Sequence, residues 1–148
     1  MFYRILTIVG GVILLASTIF VVVNWGQIPD QIPTHFTITG QPDAYGGKPM
    51  LIFLVVISWV MFTTLTISVK FPNMWNFPVE VTDQNRDVLF AIARFMMEIL
   101  KLLTAILMSV IMMATALSLE LPAVVMISLF VAIMATIAVC IYLMFKNK

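Results

Sequence analysis

The chain has 148 residues, of which 62% are hydrophobic and 10% charged, with a mean hydropathy of +1.10. Average soluble domains are about half apolar and about one quarter charged, so a bilayer is the solvent that suits this composition. Eight Lys and Arg stand against seven Asp and Glu, which leaves no basic field to argue for nucleic acid; the one cysteine, Cys140, excludes an intrachain disulfide and a paired-thiol motif.

Residues 5–23 form an uncharged run of apolar and small side chains, and about 20 such residues at ~1.5 Å rise cross a ~30 Å hydrocarbon core. Arg4 before the run invites comparison with a signal peptide. The apolar region of a signal peptide is only about 7 to 15 residues long, and no A-x-A cleavage site follows, so a retained span is expected. Residues 24–49 form a loop, and residues 50–69 a second span. Pro49 suits the start of that helix because the N–H it lacks would have no partner there; Lys70, Phe71 and Pro72 close it. Residues 102–119 form a third span with a helical extension from about Asp87, and residues 121–145 a fourth, the two separated by a tight turn at Glu120 and Pro122.

The expected fold is therefore an all-α bundle of four transmembrane helices, one membrane domain over residues 1–148. Arg4, Lys70, Arg86, Arg94, Lys101, Lys146 and Lys148 fall on one side and Lys48 alone on the other. Because cationic loops resist translocation, both termini are expected inside and the 24–49 loop outside. Trp25 and Tyr45 on the outer side, and Tyr3, Trp75 and Tyr142 on the inner, fit interfacial aromatic belts. Ala105/Ser109 and Ala114/Ser118 have small-xxx-small spacing, and Ser58, Thr63, Thr64, Thr66 and Ser68 offer hydroxyls to neighbouring helices. Such positions suit packing within the bundle, a homodimer or a partner membrane protein.

Asp87, Arg94, Glu98 and Lys101 are spaced by seven, four and three residues, which places them in one arc of a helix, continued deeper by Ala105, Ser109 and Met112. The favoured reading is an interfacial extension whose charges touch headgroups while Val88, Phe90, Ile92 and Phe95 dip into lipid. A sharper reading buries Arg94, Glu98 and Lys101 in the bundle as mutual partners on a polar path. A third is a simple Arg94–Glu98 pair one turn apart that steadies the helix.

The loop departs most from generic membrane composition. Pro29, Pro33, Pro42 and Pro49 restrict φ and Gly40, Gly46 and Gly47 permit turns, so a compact cap over the outer ends of the first two helices is expected. Residues 34–39 are β-prone and residues 40–43, Gly-Gln-Pro-Asp, suit a reversal. The only histidine, His35, lies here. As a metal ligand it would have only Asp30 and Asp43 nearby; as a pH-responsive group it is the side chain type suited to near-neutral switching; the favoured role is structural, a hydrogen bond to Asp43 or loop backbone.

Pro29, Ile32, Pro33, Thr34, His35 and Phe36, followed by Gly40, Pro42, Asp43, Tyr45 and Lys48, form a pattern that resembles the bacterial domain of unknown function at the N-terminus of Sdp-type immunity proteins, which protect cells from a sporulation-delay toxin. Thr37, Tyr45 and Gly47 stand where that family often has Asn, Trp and Ser. The resemblance covers the first two spans and their loop. It implies a multi-pass protein of the bacterial cytoplasmic membrane that recognises a hydrophobic peptide toxin or other envelope ligand. Pro33, His35, Phe36, Gly40, Pro42, Asp43, Tyr45 and Lys48 are then ligand-contacting or loop-structuring residues. A small transporter or accessory subunit using Arg94, Glu98 and Lys101 is the alternative. No G-x-S-x-G, H-E-x-x-H or Walker loop occurs and no second histidine exists to partner a nucleophile, so neither an enzyme nor a cofactor is expected.

Overall fold

The computed structural model describes residues 1–37 and 39–148. Four helices are long and apolar enough to cross a membrane: α1 (Phe2–Val23), α2 (Met50–Ser68), α3 (Arg86–Leu117) and α4 (Ala123–Lys146). The chain is a multi-pass membrane protein. An antiparallel hairpin of β1 (Gln31–Phe36) and β2 (Pro42–Gly47) separates α1 from α2. A 3-10 turn at Pro72–Met74 follows α2.

Helix α3 is central: it packs on α1, α2 and α4 and also touches β1, whereas α1 and α2 meet only lightly. Thr7 lies beside Glu98 and Lys101, and Gly10 beside Leu102 and Ala105, so α1 and α3 run in parallel. A Cβ on Gly10 would come 3.0 Å from Phe62 Cε2, so the missing side chain lets the Phe62 ring close on α1. Trp59 Nε1–H donates to Thr18 Oγ1 at 3.0 Å and links α2 to α1. By contrast, Ser58, Thr66 and Ser68 donate to carbonyls one turn back in α2, satisfying themselves locally rather than across helices.

The main core joins Leu14, Val21, Ile28, Ile32, Leu51, Phe62, Ala105, Met112 and Ala116, and so reaches from mid-bundle into the base of the hairpin. A second small core at the far end gathers Leu89, Ala93 and Met144 against Trp75, Phe77, Val79 and Ile92. Only Cys140 and Met144 of α4 are buried; the remaining apolar surface of that helix is of the kind lipid covers.

The extension expected before the third span is present, and α3 runs unbroken for 32 residues, ~48 Å at helical rise. It ends at Leu117 rather than residue 119, and α4 begins at Ala123 rather than 121. The five intervening residues are used by a closing motif: Ser118 is left-handed (φ 51°), its N–H donates to Thr115 O, and Leu119 N–H donates to Ala114 O at 2.9 Å. That is the Schellman pattern, which satisfies carbonyls a helix end leaves without partners.

The loop carries the hairpin, and its reversal lies earlier than the expected residues 40–43. Thr37 N–H donates to Gln41 O and Gly40 N–H to Thr37 O, both at 2.8 Å, so the turn occupies 37–41 and Pro42 and Asp43 open β2. Gly40, at φ 85°, supplies the left-handed residue the turn needs. The expected β-prone stretch 34–39 includes Ile38, which lies outside the described residues. Register irregularities fall between Pro33 and His35 and between His35 and Phe36. They re-aim side chains along β1.

Candidate functional site

Two polar centres stand out, one at each end of the bundle. At the hairpin end, Ile32 and Pro33 are buried, which anchors β1 to the main core. Across from them Tyr45 pairs with Pro33 and points outward, 61% exposed. His35 Nδ1 lies 2.5 Å from Asp43 Oδ1, with both side chains open to solvent. This is the hydrogen bond expected of a structural histidine. Among the described residues no third His, Cys, Asp or Glu gathers beside them to make a metal set.

Lys48 is committed to the hairpin base. Its Nζ donates to Ile28 O at 2.8 Å and stands 4.8 Å from the Trp25 ring centroid, while its backbone N–H donates to Asp30 O. The opposite tip is held by Gly40, whose carbonyl accepts from Leu121 N–H at 2.8 Å. A Cβ on Gly40 would fall 1.5 Å from Leu121 O, so no other residue fits that approach. The hairpin is thus pinned at its base through Lys48 and at its tip to the α3–α4 turn.

This second pin creates a cavity. Phe36, Thr37 and Gly40 face Leu121, Met126, Ile127 and Phe130 of the turn and α4 across about 380 Å³ of largely apolar space. A neighbouring groove of about 630 Å³ runs below the turn between α1 and α3, lined by Ile13, Ile106, Met113, Leu121 and Ser109. Ser109 Oγ is buried and has no hydrogen-bond partner among the described residues. Of the residues the sequence pattern marks, Phe36 and Gly40 reach the cavity; Pro33 anchors the strand, Pro42 pairs with Phe36 across the hairpin, and His35, Asp43 and Tyr45 form its outer surface.

At the other end the predicted polar stripe divides. Asp87 and Arg94 are exposed, but Glu98 and Lys101 are 4% and 1% exposed, and Ala105, Ser109 and Met112 continue the buried line. The favoured interfacial reading fails for the second half of the stripe, and in the first half Phe90 packs on Trp75 and Phe77 while Ile92 joins the second small core. Lys101 Nζ lies 2.7 Å from Glu98 Oε2. Thr7 Oγ1 completes the set, accepting from Lys101 at 2.7 Å and donating to Glu98 at 3.1 Å. The Phe62 ring closes over the ammonium at 5.9 Å.

Arg94 is not the partner of Glu98. Its guanidinium stacks on the Tyr3 ring at 4.9 Å, one turn before Thr7 on α1, so Arg94 shares the helix face of Glu98 and Lys101 but is taken up one turn away from them. Thr7 and Phe62 carry no mark in the sequence pattern, and Tyr3 is marked there only as a belt aromatic. A lone threonine in an apolar run carries no signal until its neighbour across the bundle is known. Counting back from Leu117, a ~30 Å core takes about 20 residues and ends near Glu98, so the pair sits at the edge of the span rather than mid-bilayer.

No curated protein and no solved structure matches the chain. Residues 12–58, which cover most of α1, the whole hairpin and the first half of α2, match the model of a family described as a domain of unknown function, DUF1648.

Proposed function

We propose that the chain is a recognition protein of the bacterial cytoplasmic membrane, whose hairpin and adjoining helix ends receive a hydrophobic peptide or a similar envelope ligand. The observation that carries this reading is the apolar cavity between the hairpin tip and α4, which exists because Gly40 is docked on Leu121. Pockets suited to organic ligands are apolar with a few placed polar groups, and here the Thr37 side chain and the Gly40 backbone lie among Phe36, Ile127 and Phe130. Tyr45, further down β2 opposite Pro33, offers an exposed aromatic anchor on the same hairpin. The resemblance to immunity proteins supplies the ligand class: a peptide toxin that partitions into the membrane. A shaped cap fixed to rigid helices suits capture of such a molecule at the outer surface.

Transport through the polar stripe has less support. Glu98 and Lys101 are enclosed by Thr7 and Phe62, and Arg94 is held by the Tyr3 ring, an arrangement that closes rather than lines a path.

Cells producing the chain and challenged with a membrane-active peptide toxin provide the test. Tyr45→Ala, or Ile127→Trp to fill the cavity, should abolish protection at unchanged membrane levels. Full protection by both variants would overturn the proposal, and loss of protection by Glu98→Gln with a tolerant hairpin would favour transport.

A further inference from the structure

The end of the bundle opposite the hairpin has a second surface built from parts the recognition reading does not use. Helix α3 carries Arg86, Phe90 and Arg94 at successive four-residue steps, which align them along one side of the helix. Each guanidinium is exposed and stacks on a ring: Arg86 on Phe90 at 5.5 Å, Arg94 on Tyr3 at 4.9 Å. Stacking holds a guanidinium plane in place and leaves its N–H fork open. Among the described residues neither fork donates a hydrogen bond or pairs with a carboxylate; Asp83 borders the Arg86 cavity and Asp87 is exposed one residue on, yet neither forms a salt bridge with them.

Between these residues the chain leaves space. A cavity of about 320 Å³ is lined by Tyr3, Pro72, Trp75, Phe90 and Arg94, and an adjoining one of about 250 Å³ by Pro72, Trp75, Phe90 and Arg86. Trp75 Nε1–H is already used by Ser68 O, so the indole is held in place. The surrounding charge is one-sided. Arg4, Lys70, Arg86, Arg94, Lys146 and Lys148 at this end face only Glu80, Asp83 and Asp87, whereas the hairpin end has Asp30, Asp43 and Glu120 against Lys48. The level is also that of the bilayer edge, where α2 has just ended at Ser68 and α1 begins at Phe2.

We propose that this double cavity binds the headgroup of an anionic phospholipid, the phosphodiester bridging the forks of Arg86 and Arg94 while the first carbons of its chains lie on Trp75 and Phe90. Arg is the residue suited to phosphate because two parallel N–H groups match two oxygens. Basic pockets between helices at the membrane edge are where anionic headgroups settle. Bound there, the lipid joins the start of α1, the end of α2 and the first turns of α3.

The full chain in detergent, with Trp25→Phe and Trp59→Phe leaving Trp75 as sole indole, is titrated with brominated phosphatidylglycerol or brominated phosphatidylcholine while tryptophan fluorescence is read. Phosphatidylglycerol should quench Trp75 at a roughly tenfold lower mole fraction, as befits two charge-assisted phosphate contacts. Arg86→Gln with Arg94→Gln should erase that preference, and the double Lys variant should keep only part of it. If the double Gln variant does not fold, Arg94→Gln alone should reduce the preference severalfold. Equal quenching by the two lipids, or a preference unchanged in the Gln variants, would overturn the assignment. Displacement of the lipid by millimolar inorganic phosphate would transfer the site to a soluble anion and overturn it as well.

Discussion

Two short polar pairs lie at opposite ends of the bundle, His35–Asp43 at 2.5 Å in the hairpin and Glu98–Lys101 at 2.7 Å on the face of α3 that meets α1. Their lengths are alike and their surroundings are not. The hairpin pair is 69% and 43% exposed, so water competes for every contact it makes; exposed pairs contribute about 0 to 1 kcal/mol. The bundle pair is almost completely covered, and the neutralising partner is what makes either charge tolerable there. The distance between charged atoms therefore says little about the role of a pair, and the environment decides it. The exposed pair is open to water. The buried one lies within α3 and reaches α1 through Thr7.

The largest effect should come from splitting the buried pair. Lys101→Met leaves Glu98 charged and unpaired and should cost about 3 to 5 kcal/mol, whereas Lys101→Met combined with Glu98→Gln should recover much of that loss. Detergent melts of the single and double variants measure the difference, and a double variant no more stable than the single one would mean that the charges are not coupled. Gly40→Ala should come next, because a left-handed alanine costs about 1 to 2 kcal/mol before its clash with Leu121 O is counted. Its signature is local: faster amide exchange at Leu121 with α1 to α3 protected as before.

Thr7→Val tests the third member of the buried set. It removes a hydroxyl that both accepts from Lys101 and donates to Glu98, and should cost about 1 to 3 kcal/mol. The loss should shrink in the Glu98→Gln, Lys101→Met background, where no charge remains for the hydroxyl to bridge. The smallest effect belongs to His35→Gln, within about 1 kcal/mol of the parent. A melt shifted as far as that of Lys101→Met would show the hairpin pair to be a structural element of the same rank.

The four spans were legible because uncharged runs of this length have few other solutions, and the helical extension before the third span followed from the arc of Asp87, Arg94, Glu98 and Lys101. The His35–Asp43 contact was also readable, since eight residues around a turn that holds Gly40 and Pro42 bring two strand positions together. The position of the reversal was not. Gly40 and Pro42 both favour turns, and only the docking of Gly40 on Leu121 selects the 37–41 reversal. Nor could the stripe be divided from sequence: Arg94 and Glu98 look equally suited to pairing until α1 brings Thr7 to one and Tyr3 to the other.

What the sequence determined by itself is the solvent of this protein and its four helices long and apolar enough to span a membrane, because hydrophobic length acts locally and sums along the chain. Tertiary structure alone decided which charges are buried, which residue is the partner of Glu98, and that the hairpin tip closes on the α3–α4 turn to leave a cavity. Those outcomes depend on segments far apart in the chain, Thr7 with Lys101 and Gly40 with Leu121, and contact between distant segments is set by packing rather than by any local pattern.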